Sequence, residues 1–310
     1  MEKTKNVLVC LDCTEVDNSI IQYAAFIVDH SYADKVTFIN IIKNLDIPDD
    51  VLKEFPDIKK NALKERKEQL SVSIKTHFNP TKKISKSLKV IAGREAKAIL
   101  EFCDKEDIDL IVIGRKNIDK EDSNVLATRL ARRASCTLLI VPENSERKLN
   151  KILIPIDFSE YSKMAVQKAI EIASIYEEKV EITAQNVYSV PTGYHYSGKS
   201  YEEFAEVMKK NSEKDYAKFI RKINTKDIDI TPIYNLDIND NLISDILDLA
   251  QVLQPNCIIV GAKGRTATAA LFLGSFAEKL VNAKPNFPLL IVRPKGKNVG
   301  FIDYFKDLSK

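Results

Sequence analysis

The sequence predicts an α/β protein made of two repeated doubly wound domains, Rossmann-like or flavodoxin-like, each a five-stranded parallel sheet flanked by helices. Three observations predict it. Short apolar runs of strand length alternate with longer segments of helical periodicity. The same series of runs occurs twice, and matching positions keep a nearly constant spacing: Asp12 to Asp157 is 145 residues, Gly114 to Gly261 is 147 and Leu138 to Leu289 is 151. Such a period is far too long for a solenoid unit and marks duplicated domains. Strands that alternate with helices, finally, imply right-handed crossovers that cover both faces of a parallel sheet.

In order, Asn6 to Leu11 reads as a buried strand ending at Asp12, and Ser19 to Val28 carries apolar residues at helical spacing. Lys35 to Ile42 is a second strand, Asp50 to Thr76 a long charged helix and Ser87 to Ala92 a third strand. A helix from Gly93 to about Asp107 leads to a strand over Asp109 to Gly114, a helix over Val125 to Ala134 and a strand over Thr137 to Val141. After the polar linker Glu143 to Asn150 the series restarts. The strands are then Lys151 to Asp157, Val180 to Val187, Ile228 to Tyr234, Cys257 to Gly261 and Leu289 to Val292; the helices are Ser159 to Tyr176, Tyr201 to Ile223 and Asp240 to Leu253, with a last one opening at Gly274. The predicted domains are 1–146 and 147–295, followed by a tail, 296–310. In the tail Phe301, Tyr304, Phe305 and Leu308 share one side of a short helix that would need a docking surface.

Length suffices for two cores. The net charge of +3 gives no case for nucleic acid or a membrane surface. No apolar run is long enough to span a bilayer, and the apolar stretch before Asp12 is too short for a signal-peptide core. Five cysteines without a framework suggest a reducing compartment, so the expected localisation is cytoplasmic. Cys10 and Cys13 have redox spacing, but one lies in a strand, the other in a turn, and Asp12 between them disfavours a thiolate. The histidines 30, 77 and 195 are scattered, and no metal-ligand spacing or catalytic serine elbow is present.

The stretch with chemistry in it is Cys257 to Ala283. A buried strand ends at Gly261, Gly264 and Arg265 follow, and Gly274-Ser275-Phe276 opens a helix. Glycines allow close backbone approach, and a helix N-terminus offers free N–H groups to an anion. No Gly-Lys-Ser/Thr ends the loop, so it is not a Walker A sequence. The spacing Gly-x2-Gly-x9-Gly-Ser after a strand resembles the nucleotide-binding signature of the universal stress protein family, and Ile152 to Glu160 (ILIPIDFSE) is similar to that family's first strand and turn.

The resemblance implies ATP, with ADP or AMP as alternatives, carrying Mg2+ on its phosphates. It implies Pro155, Asp157 and Val187 around the adenosine part, and Gly261, Gly264, Arg265, Gly274, Ser275 and Phe276 around the phosphates. The residue chemistry agrees: a carboxylate accepts from ribose hydroxyls or an amine, an apolar wall packs a base, and a glycine loop holds phosphates. An Asp at position 157 could instead cap the following helix. The first half keeps Gly114 but has Asn117 in place of Gly264 and Ala127-Thr128 in place of Gly274-Ser275, with acidic residues between, so it is expected to bind no nucleotide or to bind it weakly. The resulting expectation is a nucleotide-binding stress or signalling protein. The alternatives are a slow ATPase or nucleotidyl-transfer enzyme, and a nucleotide-free interaction protein. The strands Leu138 to Val141 and Leu289 to Val292 should join the two halves, and family members pair through this strand, so a homo-oligomer through edge strands and an unidentified protein partner are also expected.

Overall fold

The computed structural model describes residues 4–43, 45, 47–116, 124–265 and 273–295. The tail 296–310, Asn117 and the acidic positions 119, 121 and 122 lie outside the described residues.

Among the described residues ten strands form one sheet: β1 (Asn6–Leu11), β2 (Lys35–Ile42), β3 (Ser85–Ala92), β4 (Leu110–Arg115), β5 (Thr137–Pro142), β6 (Lys151–Pro155), β7 (Glu181–Tyr188), β8 (Ile230–Leu236), β9 (Cys257–Gly261) and β10 (Leu289–Val292). Their order is β3-β2-β1-β4-β5-β10-β9-β6-β7-β8. Each repeat therefore has the order third, second, first, fourth, fifth, and the strand order reverses between the first and second strands' side and the fourth strand's side. All neighbours are parallel except β5 and β10, which pair antiparallel with Leu290 opposite Leu139. The central strands are Val/Ile/Leu runs because both of their faces are covered.

The helices are α1 (Val16–Asp29), α2 (Asp49–Glu54), α3 (Ile58–His77), α4 (Glu95–Lys105), α5 (Val125–Arg133), α6 (Glu160–Ile175), α7 (Tyr201–Ile220), α8 (Leu242–Leu253) and α9 (Ser275–Asn282). Two apolar cores result, one on each face. Ile21, Phe38, Leu70, Val166 and Phe219 belong to the face covered by α1, α3, α6 and α7; Ile99, Leu130, Ile246 and Leu280 belong to the face covered by α4, α5, α8 and α9. Each core continues from one repeat into the other.

Two expectations need correction. The long helix over Asp50 to Thr76 is two helices, because Pro56 disfavours helical backbone at Phe55 and cannot donate an N–H. The counterpart of Gly274-Ser275 is Asn124-Val125 and not Ala127-Thr128. Asn124 and Gly274 are the N-caps of α5 and α9, and the buried Ala127, Leu130 and Ala131 correspond to Ala277, Leu280 and Val281. The N-cap of α9 lies 13 positions after Gly261 and that of α5 lies 10 after Gly114, so the second connection is three residues longer when counted from the matched glycines.

The seam between repeats is held by more than the strand pair. Arg293, 8% exposed, donates to the carbonyls of Ala131 and Ala134, both at 2.6 Å, at the C-terminal end of α5. The partial negative charge of a helix C-terminus favours a cation there. Burial lowers the Arg293 guanidinium to about 10, which leaves it charged at neutral pH. Arg115 donates to Pro285 O, and Asn124 Nδ2 to Val281 O at 2.9 Å. β5 and β10 therefore occupy each other's edges. The sheet's outer strands are β3, with exposed Lys86 and Lys89, and β8, with Pro232; lysines and proline are residues that discourage further edge pairing.

Candidate functional site

β6 ends between β7 and β9, where strand order reverses, and the chain leaves it through Ile156, Asp157 and Phe158 into α6. Phe158 has φ 65°, a left-handed conformation that turns the backbone sharply. Ser159 is the N-cap of α6, its hydroxyl accepting from Ser162 N at 3.2 Å, so the capping role considered for Asp157 belongs to Ser159.

Asp157 has a different function. Its Oδ1 accepts from Ser159 N at 3.0 Å and from Ser162 Oγ at 2.6 Å, and its Oδ2 accepts from Arg265 N at 2.9 Å. The carboxylate ties the β6 turn to the loop after β9, and among the described residues Oδ2 has no donor besides Arg265 N, which leaves a lone pair for a ligand hydroxyl or amine. Burial alone would push the Asp157 carboxyl up, but the hydrogen bonds from Ser159, Ser162 and Arg265 together outweigh it and hold the group below its ordinary value. Arg265 Nε donates to Asp157 O, and the guanidinium lies 5.4 Å from the Phe158 ring centroid.

The three glycines serve three contacts. A Cβ on Gly261 would stand 2.6 Å from Tyr161 O, so this glycine lets α6 pack directly on β9. Gly114 does the same for α1, where a Cβ would meet Ile20 at 2.8 Å. Gly261 thus has a packing role in addition to lining the cleft, the place where close approach of an anion is expected of it. A Cβ on Gly264 would stand 2.8 Å from Asp157 Oδ2, and one on Gly274 would stand 3.2 Å from Lys263 Cα. Gly274 N also donates to Ala262 O at 2.8 Å, folding the start of α9 back on the loop. Within the second repeat α6, α7 and α8 have side-chain N-caps, whereas α9 has none, which leaves its first-turn N–H groups to another acceptor.

Between these elements lies a cleft of about 340 Å³, in the size range of small-molecule sites. Pro155, Asp157, Val187, Gly261, Gly264, Arg265 and Phe276 line it; Gly274 and Ser275, at the start of α9, do not. The sequence reading did not single out Phe158, Ser162, Gln185, Asn186, Lys263, or the α7 wall of Met208, Asn211, Ser212 and Asp215. Only Gln185 and Asn186 carried a signal, as two adjacent amides in a strand whose first-repeat counterpart has Ile39 and Asn40 at those positions.

The corresponding crevice of the first repeat differs in charge. Asp12 Oδ1 accepts from Thr14 N at 3.1 Å and Thr14 Oγ1 at 2.6 Å, as Asp157 does from Ser159 and Ser162. The position of Ser162 is taken by Asp17, 6% exposed, which accepts from Asp12 N at 3.0 Å and Cys13 N at 2.8 Å. Burial raises the Asp17 carboxyl to about 6, with Asp12 beside it raising it further. A second carboxylate at this place works against a phosphate ligand. Burial likewise raises the thiols of Cys10 and Cys13, and all five cysteines are free. Among the described residues no group of three His, Cys, Asp or Glu is placed to hold a metal ion, and no helix is long and apolar enough to cross a membrane.

Comparison with known proteins gives one consistent picture. The model of the universal stress protein family matches residues 3–142 and again 148–293. The universal stress protein MJ0577 of Methanocaldococcus jannaschii is 28% identical over 163 residues, covering 47% of this chain and 95% of the relative. A second protein of that organism, universal stress protein MJ0531, is 26% identical over 161 residues, 50% of this chain and 88% of the relative. Among solved structures, a universal stress protein from Archaeoglobus fulgidus superposes with a TM-score of 0.64 at 14% identity, covering 96% of this chain and 98% of the other.

Proposed function

The chain belongs to the universal stress protein family as two tandem repeats, and from that premise we propose that its second repeat binds a nucleotide, ATP with ADP or AMP as alternatives, in a stress-response or signalling role. The observation that carries the reading is the tie from Asp157 to the glycine loop, which sets an uncapped α9 N-terminus, Arg265 and the 340 Å³ cleft side by side. The base packs against Val187, a ribose hydroxyl meets the remaining lone pair of Asp157 Oδ2, and the phosphates lie against Gly264, Arg265, the N–H groups of α9 and Ser275. Phe276 and Pro155 close the cleft. Mg2+ rides on the phosphates, since the described residues offer no three-ligand cluster of their own. The first repeat, with Asp12 and Asp17 in its crevice, acts as scaffold or partner surface. In this reading the domains are 1–146 and 147–295 with a tail at 296–310, the protein is cytoplasmic, and self-association or a protein partner transmits the nucleotide state.

Native mass spectrometry of protein purified without added nucleotide tests it, followed by calorimetric titration with ATP and Mg2+. A bound mass of ATP, ADP or AMP, or a saturable ATP isotherm with one site per chain, is the expected result. No bound mass together with no isotherm refutes the reading.

A further inference from the structure

Between α1 and α6 the paired strands β5 and β10 form the floor of an apolar groove, to which they contribute Leu139 and its partner Leu290. The lining follows the duplication: Ile27 on α1 is matched by Ile172 on α6, and Leu110 by Cys257. The groove is open to solvent, since Ile27, Leu149, Ile172 and Ile175 are only half-buried. It shares no lining residue with the cleft beside Asp157. Where α1 has Tyr23, α6 has Lys168, which is 6% exposed and donates to Glu171 Oε2 at 2.9 Å and to Thr4 Oγ1 at 3.3 Å. A buried ion pair is a weak source of stability. Here it gives an otherwise apolar groove one polar wall.

The groove encloses about 80 Å³ and adjoins a second hollow of about 240 Å³, with Thr4, Thr137 and Lys168 bordering both. A single water needs about 10–15 Å³, so the groove has room for a side chain or two and not for a cofactor. The second hollow is where the described chain arrives, because Pro294 and Lys295 line it. Lys295 Nζ is held there by Asp109 Oδ1 at 2.6 Å, Asp107 Oδ2 at 2.7 Å and Asp107 O at 3.1 Å. The segment that follows Lys295 therefore starts beside the groove, from an anchored residue.

That segment lies outside the described residues, and its sequence has what the groove lacks. Phe301, Tyr304, Phe305 and Leu308 fall on one side of a helical repeat, an apolar stripe that is costly to leave in water. Phe301 is six positions beyond Lys295, a distance that the chain spans up to about 20 Å. A short tether of this kind acts as an effective concentration on the order of millimolar, an advantage that no free partner has. We propose that residues 301–308 lie in the groove between α1 and α6, their apolar side against Ile27, Leu139, Ile172 and Leu290, as a strap across the seam of the two repeats. A buried tyrosine O–H needs a partner, and the Lys168–Glu171 wall supplies one to Tyr304. The strap does not depend on what the cleft binds.

Photocrosslinking of the full chain with p-benzoylphenylalanine in place of Phe305 tests it. Crosslinks within one chain to peptides of α1 or α6 are the expected result. Crosslinks to a second chain, seen as a doubled mass on a denaturing gel, would assign the groove to another copy, and crosslinks elsewhere or none at all would leave it to a separate partner; each of these overturns the proposal. A thermodynamic cycle gives an independent readout. Truncation after Lys295 should lower the melting temperature by about 2–4 °C in the wild type. The shift should be less than half as large in Ile172→Asp, which sets a charge on the groove wall. Equal shifts in the two backgrounds, or no shift in the wild type, overturn the proposal as well. If Ile172→Asp does not fold, the crosslinks decide alone.

Discussion

Gly264→Ala is the smallest change that separates the tie at Asp157 from the rest of the fold. A Cβ built on Gly264 stands 2.8 Å from Asp157 Oδ2, and its next nearest neighbour is the Asp157 carboxyl carbon at 3.9 Å. The conflict is thus with one oxygen. That oxygen also accepts the Arg265 N–H at 2.9 Å, and the other carboxylate oxygen is held by Ser159 and Ser162. A retreat by roughly 0.5 Å stretches the Arg265 bond beyond the ordinary N–H···O range. A hydrogen bond to a charged group is worth about 1.5–3 kcal/mol. If that energy serves to hold the loop in its binding conformation, ATP affinity falls by roughly 10- to 100-fold. Gly261→Ala is the contrast, because its Cβ meets backbone, Tyr161 O at 2.6 Å, and the strain falls on the packing of α6 against β9. It should cost about 1–3 kcal/mol of global stability. Calorimetric titration with ATP and Mg2+, paired with thermal melts in the same buffer, gives both readouts. Gly264→Ala should lose affinity with a small change in melting temperature, and Gly261→Ala should lose melting temperature. Wild-type affinity in folded Gly264→Ala would show that the Asp157 tie does not shape the site.

Ser162→Asp copies Asp17 into the second repeat and sets a second carboxylate beside Asp157; ATP affinity should fall about tenfold or more, read by the same titration. The reverse change, Asp17→Ser, concerns pH. A folded-state carboxyl raised to about 6 binds more protons than its unfolded counterpart, so its ionisation opposes folding: stability rises as pH falls from neutrality through about 6 toward the ordinary carboxylate range. Asp17→Ser should flatten that part of the pH profile of the melting temperature and raise the melting temperature at pH 7.5, and an unchanged profile would count against it. Asp157 has the opposite sign, its lowered carboxyl contributing stability above the ordinary value that is lost as pH falls through the folded one. Arg293→Met leaves the carbonyls of Ala131 and Ala134 without their donor and should cost about 1–3 kcal/mol, seen by calorimetric unfolding, with ATP affinity retained because the seam lies away from the cleft.

Much of this was legible in the sequence for a specific reason. A parallel strand covered on both faces must be apolar throughout, so each central strand announced itself, and duplication printed the series twice. The loop from Gly261 and the turn at Asp157 were legible because each sits at the end of such a strand, where an α/β sheet of this order has its crevice. The sequence also implied that the last strand of each repeat would join the two, and β5 and β10 do so.

What only the tertiary structure decided depends on partners far apart in the chain. That the two repeats share one ten-stranded sheet and two continuous cores follows from one antiparallel pairing and from Arg293 reaching the end of α5. The rise in spacing from 147 to 151 showed that residues were added between β9 and β10, but only the helix N-caps show that three of them lie before α9. Gly261 reads in sequence like the other loop glycines, yet the backbone of Tyr161 decides its purpose. Asp17 and Ser162 differ in charge at a place that matters only because their helices start beside Asp12 and Asp157. Gln185, Asn235 and Asp245 are about as polar as many surface residues, and nothing local marks them as a cluster. Hydrogen-bond partners are chosen by proximity in space: Gln185 Nε2 reaches Asn235 Oδ1 across 50 residues and the backbone carbonyl of Asp245 across 60, and neither partner can be read from the residues next to Gln185.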